Sequence, residues 1–190
     1  MTDAAEQGTE TATETADGRL KFMTQMISLD YGIRTSPTAR DFGRKLRDGR
    51  IVGHKCPECG LVYVPPKGFC PICVVPTGDA DEVAISDTGI VTSWTVLTPI
   101  QYHGQQERDE YALASVLLDG ADGTIGQQRI VGIEPDQIRM GMRVAAVWAD
   151  EADRKDDAGD RGWGFGTSIT GFKPTGEPDA PPDAYEKHTL

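Results

Sequence analysis

Cys56, Cys59, Cys70 and Cys73 are the only cysteines in the chain, and they form two C-x-x-C pairs separated by ten residues. Each pair lies on a proline-bearing tight turn, Cys56-Pro57-Glu58-Cys59-Gly60 and Cys70-Pro71-Ile72-Cys73. Such a turn aims two thiolates at one point, and two turns complete the tetrahedral sulfur shell that zinc prefers. The reading is a structural zinc site; iron in the same shell, a redox C-x-x-C and structural disulfides are the alternatives. With all four positions filled by protein, no position is open to water or substrate, so the metal would hold the fold rather than react. The same ligation removes every cysteine from the possible nucleophiles.

The remaining reactive side chains form no catalytic set. His54, His103 and His188 are far apart in the chain. His54, two residues before a ligand, is expected to support its knuckle through a hydrogen bond. His103 belongs to the loop Pro99–Gly104, at the mouth of a barrel, and reads as an ordinary loop residue. Ser93, Ser115 and Ser168 lack the strand-to-helix elbow that exposes a nucleophilic serine. Gly162-Trp163-Gly164-Phe165-Gly166 reads as a barrel corner rather than a nucleotide loop.

Residues 1–18 are polar and aperiodic, and are expected to form a disordered acidic tail. Residues 19–50 hold an apolar stretch, Leu20–Leu29, expected to strap another subunit, and then a helix. Ser36-Pro37 supplies an N-cap and a proline at the first helical position, and Gly49 a stop. Ala39, Phe42 and Leu46 form one narrow apolar stripe, which requires docking on something else. Residues 51–76 are the ribbon, with Leu61–Val64 as a short strand ending at Pro65-Pro66. Residues 83–173 carry five candidate strands: Gly89–Thr98, Tyr111–Leu118, Gln128–Ile133, Val144–Trp148 and Phe165–Phe172. Asp119–Gly123 is a turn, Asp150–Asp160 a solvated loop, and Pro-rich residues 174–190 a flexible tail. The fold class is therefore mainly β: an N-terminal helix, a rubredoxin-like zinc ribbon and a five-stranded OB-type barrel.

The formal net charge is −11 over 190 residues, but residues 1–17 and 150–190 carry 15 of the 30 acids against 5 of the 19 bases. The middle is nearly neutral, with a locally basic stretch from Arg34 to Lys55. The barrel region, residues 83–149, holds four arginines and no lysine against eight acids, which argues against nucleic acid as a ligand. A nucleic-acid-binding ribbon and barrel is the rival reading. No apolar run is long enough to span a bilayer. The N-terminal residues lack the features of a secretory signal or transit peptide, and with the thiolate site this points to a reducing cytoplasm.

In order, these motifs resemble a known family. The helix with Phe42, Leu46 and Gly49, the two knuckles, Pro65-Pro66, Asp87-Thr88-Gly89-Ile90-Val91 and Gly141-Met142-Arg143-Val144 are similar to the acyl-CoA-associated zinc-ribbon/OB-fold proteins. These are the former domain-of-unknown-function partners of thiolases and of steroid side-chain aldolases. One departure is Val74, where the second knuckle often has glycine, which weakens the left-handed turn expected there. The resemblance implies a non-catalytic accessory subunit of a hetero-oligomer in lipid or steroid metabolism. It would help a thiolase-like or aldolase partner bind acyl-CoA and stabilise it. Binding CoA needs cations for phosphates and a shelf for adenine. The candidates are Tyr102, Arg108, Arg129, Arg143, Phe172 and Lys173, with Trp163 as a further stacking surface; Phe42, Arg44, Leu46 and Arg47 are expected to dock the partner.

Overall fold

The computed structural model describes residues 34–99, 109–156 and 165–188. The expectations for residues 1–18, Leu20–Leu29, Tyr102, His103, Arg108 and Trp163 lie outside the described residues.

A single α-helix, α1 (Pro37–Arg47), opens the described chain. The Ser36 hydroxyl accepts the Ala39 N–H at 3.1 Å, as an N-cap should. At the other end, Gly49 N–H reaches Leu46 O and Arg50 N–H reaches Lys45 O, both at 2.9 Å. This Schellman pair satisfies carbonyls that the helix leaves unpaired. Eleven residues are too few for a free-standing helix. The helix is held by Phe42 and Leu46, both buried in the same cluster as ribbon residues Ile51, Val52 and Val64 and barrel residues such as Val91. Lys45 adds ion pairs with Asp41 and with Glu82. Burial opposes the Lys45 charge, but its hydrogen bonds to Asp41 and Glu82 prevail and hold its pKa above the ordinary value.

Two β-strands, β1 (Ile51–Lys55) and β2 (Val62–Tyr63), frame the first knuckle. Strand β3 (Glu82–Ile85) returns after the second knuckle to pair antiparallel with β1, giving the order β2-β1-β3. The barrel follows: β4 (Thr88–Leu97), β5 (Tyr111–Leu118), β6 (Ile125–Ile130), β7 (Arg143–Trp148) and β8 (Ile169–Pro174). It closes in the order β4-β5-β6-β8-β7, with β6 and β8 parallel. Strand β5 shows how the sequence sets the barrel wall. Ala112, Ala114, Val116 and Leu118 are buried, and the residues between them are half-exposed. Strand β4 departs from that alternation because it bulges between Val91 and Ser93, so Ile90, Val91 and Thr92 are all buried.

Ribbon and barrel are clamped by Asp122, from the turn after β5. Its N–H donates to Val62 O and its carboxylate accepts the Val62 N–H, both at 2.9 Å.

Residues 174–188, expected to be a flexible tail, instead run back over the barrel. Ala180 N–H donates to Gly141 O at 2.8 Å, and Arg139 grips Asp179 through two bonds of 2.5 and 2.8 Å. Gly141 has a φ of +79°, and a Cβ there would lie 2.6 Å from Ala180 O, so the close approach requires glycine. The expectation failed because composition registers many prolines and acids but not the arginines waiting on the barrel.

Candidate metal centre

The two knuckles repeat one backbone design. Cys56 N–H donates to Leu61 O, and Cys70 N–H to Val75 O, both at 2.8 Å. Gly60 N–H returns to Cys56 O at 3.0 Å, and Val74 N–H to Cys70 O at 2.9 Å. Both turning residues have positive φ, +75° at Gly60 and +59° at Val74. The left-handed turn therefore forms in the second knuckle despite the β-branched side chain, at a local steric cost.

These turns bring the four sulfurs together, with their ligand atoms all within 4.8 Å of one another. Cys59 and Cys70 sulfurs are 3.7 Å apart. Four thiolates at zinc–sulfur distance around one ion would stand about 3.8 Å apart, so the donor set fits a tetrahedral metal. Backbone N–H groups face the sulfurs: Glu58 and Cys59 donate to Cys56 Sγ, and Cys73 to Cys70 Sγ, each at 3.4 Å. The Cys73 N–H, above all, pulls the Cys70 thiol down to about 7. Cys73 is pushed up to about 12, chiefly by its hydrogen bond with Cys59 and then by burial. Four sulfurs this close disfavour one another's ionisation, and a bound metal would supply the positive charge that keeps all four ionised.

His54 is buried, and its Nδ1 lies 3.1 Å from Thr77 Oγ1 rather than against a cysteine. It ties β1 to the chain leaving the second knuckle.

The other expected site residues are dispersed. Phe172 is fully buried, so it offers no stacking surface. Arg143 is occupied by Asp119, at 2.7 and 2.8 Å, and by Glu177 at 3.3 Å. Its guanidinium holds the Asp119 carboxyl below the usual range. Arg129 lies 4.9 Å from the Tyr111 ring centre, on the outer side of the barrel. Lys173 is exposed on β8, and neither Arg129 nor Lys173 forms an ion pair among the described residues. Phe42 and Leu46, expected at a partner contact, are 2% and 0% exposed inside this chain's own core, which removes them from any such contact. Arg44 and Arg47 are exposed, paired with Asp41 and with Asp48 and Asp156. Among the described residues, open clefts of about 350 and 450 Å³ lie beside Trp148 and beside the first knuckle, and neither of these includes Arg129, Arg143 or Lys173.

Residues 44–74 match the family model of the ChsH2 rubredoxin-like zinc ribbon domain, and residues 82–149 that of the ChsH2 C-terminal OB-fold domain. A DUF35 domain-containing scaffold protein of Methanocaldococcus jannaschii is 30% identical over 133 residues, covering 69% of this chain and 90% of that protein. The chain belongs to the DUF35 family. A second DUF35 domain-containing scaffold protein, from Methanothermobacter thermautotrophicus, is 30% identical over 56% of this chain and 77% of its own length. A probable enoyl-CoA hydratase alpha subunit of Thermomonospora curvata is 34% identical over 53% of this DUF35 chain but only 30% of its own length. Among solved structures, the Ltp2-ChsH2(DUF35) aldolase shares the fold, with a TM-score of 0.51, 23% identity and coverage of 73% of this chain and 95% of that one.

Proposed function

We propose that this DUF35 chain is a non-catalytic accessory subunit of a thiolase- or aldolase-type enzyme acting on acyl-CoA thioesters, built around one structural zinc. The observation that carries the reading is the extent of the match to a scaffold protein. It spans 90% of that relative, so what is shared is the whole ribbon-and-barrel body and not a borrowed knuckle. The names of two further relatives, an aldolase containing a DUF35 component and a probable enoyl-CoA hydratase subunit, point the same way. The thiolate centre supports it chemically: a metal held by four protein sulfurs has no free position at which to polarise a substrate. When bound, the zinc would cross-link the two knuckles; Cys56, Cys59, Cys70 and Cys73 hold it, and the backbone N–H groups stabilise their charge.

For the thioester, Arg129 and Lys173 are the expected CoA-binding cations among the described residues that no ion pair engages. They lie on neighbouring strands β6 and β8, with Tyr111 beside Arg129. In this reading they attract CoA phosphates while the partner supplies the catalytic groups, in a hetero-oligomer of the reducing cytoplasm. The test is co-expression with a thiolase-fold protein of the same organism. The two are expected to co-purify with about one zinc per copy of this chain. Replacing Arg129 and Lys173 with alanine is expected to raise KM for the acyl-CoA and leave kcat within about twofold. A complex that assembles normally with KM unchanged removes the CoA role; failure to co-purify removes the subunit role.

A further inference from the structure

Burial along β4 follows the strands beside it. Thr88–Ile90 pair with Ala145–Arg143 of β7, and beyond them Val91 N–H donates to Met142 O at 3.0 Å while Val91 O accepts the Gly141 N–H at 2.8 Å. Over this stretch Ile90, Val91 and Thr92 are buried. Past it, the edge of β4 that faces away from β5 has no partner strand among the described residues, although β5 stays paired to β4 as far as Leu97. Exposure begins there: Trp94 is 38% and Val96 40% exposed. These two stand opposite Ala114 and Ala112, on the face that β5 turns to the core, so an apolar strip of the inner face runs on past the barrel's own filling. Proteins usually blunt a free sheet edge with charge, proline or a bulge. Here the bulge lies before the free stretch, between Val91 and Ser93, and Ser93-Trp94-Thr95-Val96-Leu97 contains no charge, glycine or proline.

We infer that this edge pairs with the same edge of a second copy, antiparallel across a two-fold axis at Thr95, so that two barrels share one continuous sheet; the inference does not depend on the accessory-subunit reading. Symmetry selects that occupant. In an antiparallel ladder, directly opposed residues are of one hydrogen-bonding type, so the axis must fall on a residue, and Thr95 is the centre of the free stretch. That register sets Trp94 against Val96 of the second copy, twice, and Thr95 against Thr95. Aromatic–β-branched and Thr–Thr pairs are favourable cross-strand neighbours. A self-paired edge doubles every charge it carries, and residues 88–98 carry none. Glu110, beside the end of the stretch, accepts the Thr98 hydroxyl at 2.8 Å. In two copies these ends lie on opposite sides of the axis, about 20 Å apart at about 3.3 Å per residue, well beyond the screening length of roughly 8 Å.

The experiment uses the full, metal-loaded chain. Sedimentation velocity across a concentration series is expected to show a reversible dimer of the 20.5 kDa chain. Thr95 is exposed, so Thr95→Lys and Thr95→Glu are expected to keep the parent's fold and melting temperature. Each variant alone is expected to weaken self-association at least about tenfold, because like charges then meet on the axis. An equimolar mixture of the two is expected to recover the parent's affinity to within about threefold, with one copy of each variant per dimer. Only an edge that meets itself at Thr95 gives this rescue. A parent that stays monomeric up to about 0.5 mM, association that both variants retain, or a mixture no tighter than either variant alone overturns the assignment. A monomeric parent that binds a thiolase-fold protein of the same organism, with the binding lost in Thr95→Lys, gives the edge to that protein instead.

Discussion

Replacing Phe42 with alanine separates two accounts of the helix, one in which its apolar stripe is reserved for a partner and one in which this chain already uses it. In the structure, Phe42 is 2% exposed and begins an aromatic relay: its ring centre is 6.1 Å from that of Phe165, which is 6.1 Å from that of Phe172 in the barrel. The rings meet at 42° and 50°, within the tilted geometry that aromatic pairs favour. Removing a buried phenylalanine costs about 3–5 kcal/mol, from lost transfer energy and the cavity left behind. For a chain of this size each kcal/mol lowers Tm by about 2–4 °C, so a loss of about 4 kcal/mol corresponds to roughly 8–16 °C. Scanning calorimetry of the isolated, metal-loaded chain is the assay, with Arg44→Glu and Arg47→Glu as exposed controls that change stability by less than about 1 kcal/mol. A Phe42→Ala variant melting within about 2 °C of the parent would show that the helix is not docked as described.

The metal and the electrostatics give further expectations. Cys59→Ser leaves three thiolates, so zinc content by elemental analysis is expected to fall well below one per chain, with loss of cooperative unfolding; full retention of metal would count against the four-sulfur site. Acidification reprotonates the thiolates, so metal release followed with a colorimetric chelator is expected to rise as pH falls, and a release profile independent of pH would contradict thiolate ligation. The Asp119 carboxyl is depressed by Arg143, so its contribution is fully present above the ordinary carboxylate pKa of about 4 and lost as pH falls through its lower folded value. Asp119→Asn is expected to flatten the stability–pH curve in that acidic window only, and an equal loss at every pH would point to packing instead. Single-stranded DNA or RNA is expected not to bind at physiological salt, and submicromolar, salt-sensitive binding by fluorescence anisotropy would restore the nucleic-acid reading.

What the sequence disclosed and what it concealed divide along physical lines. The knuckles were legible because a metal dictates ligand type and spacing within a few residues. Helix α1 was legible through Ser36, Pro37 and Gly49, which act on their own backbone. Strand β5 was legible to the residue, Tyr111–Leu118, because its alternation is complete. Strand β8 was misplaced: expected from Phe165, it begins at Ile169, since Phe165–Ser168 form a turn that sends the Phe165 ring into the core. Pairings distant in sequence left no local mark. Strand β3 joins β1 across the whole ribbon, Asp122 reaches back to Val62, and Arg139 waits for Asp179 forty residues on. The four cysteines converge as their spacing implied, whereas the surroundings of the CoA candidates depend on such distant pairings. Residue type nominated Arg143 and Phe172 for a ligand, and only the fold reveals that one is held by carboxylates and the other is buried. Val74 in the place of glycine was legible as a strained turn, whereas the exposure of Phe69 and Ile72 beside it is given only by the fold.

The central claim, that this chain assists a catalytic partner and does not itself turn over thioesters, is tested most directly by one steady-state comparison. Acyl-CoA turnover is measured for the metal-loaded chain alone, for a thiolase-fold protein of the same organism alone, and for the two together. The account predicts no turnover above background for the chain alone and activity of the pair well above that of the partner alone. Turnover at ordinary enzyme rates by the isolated chain, or a partner fully active and soluble without it, would contradict it.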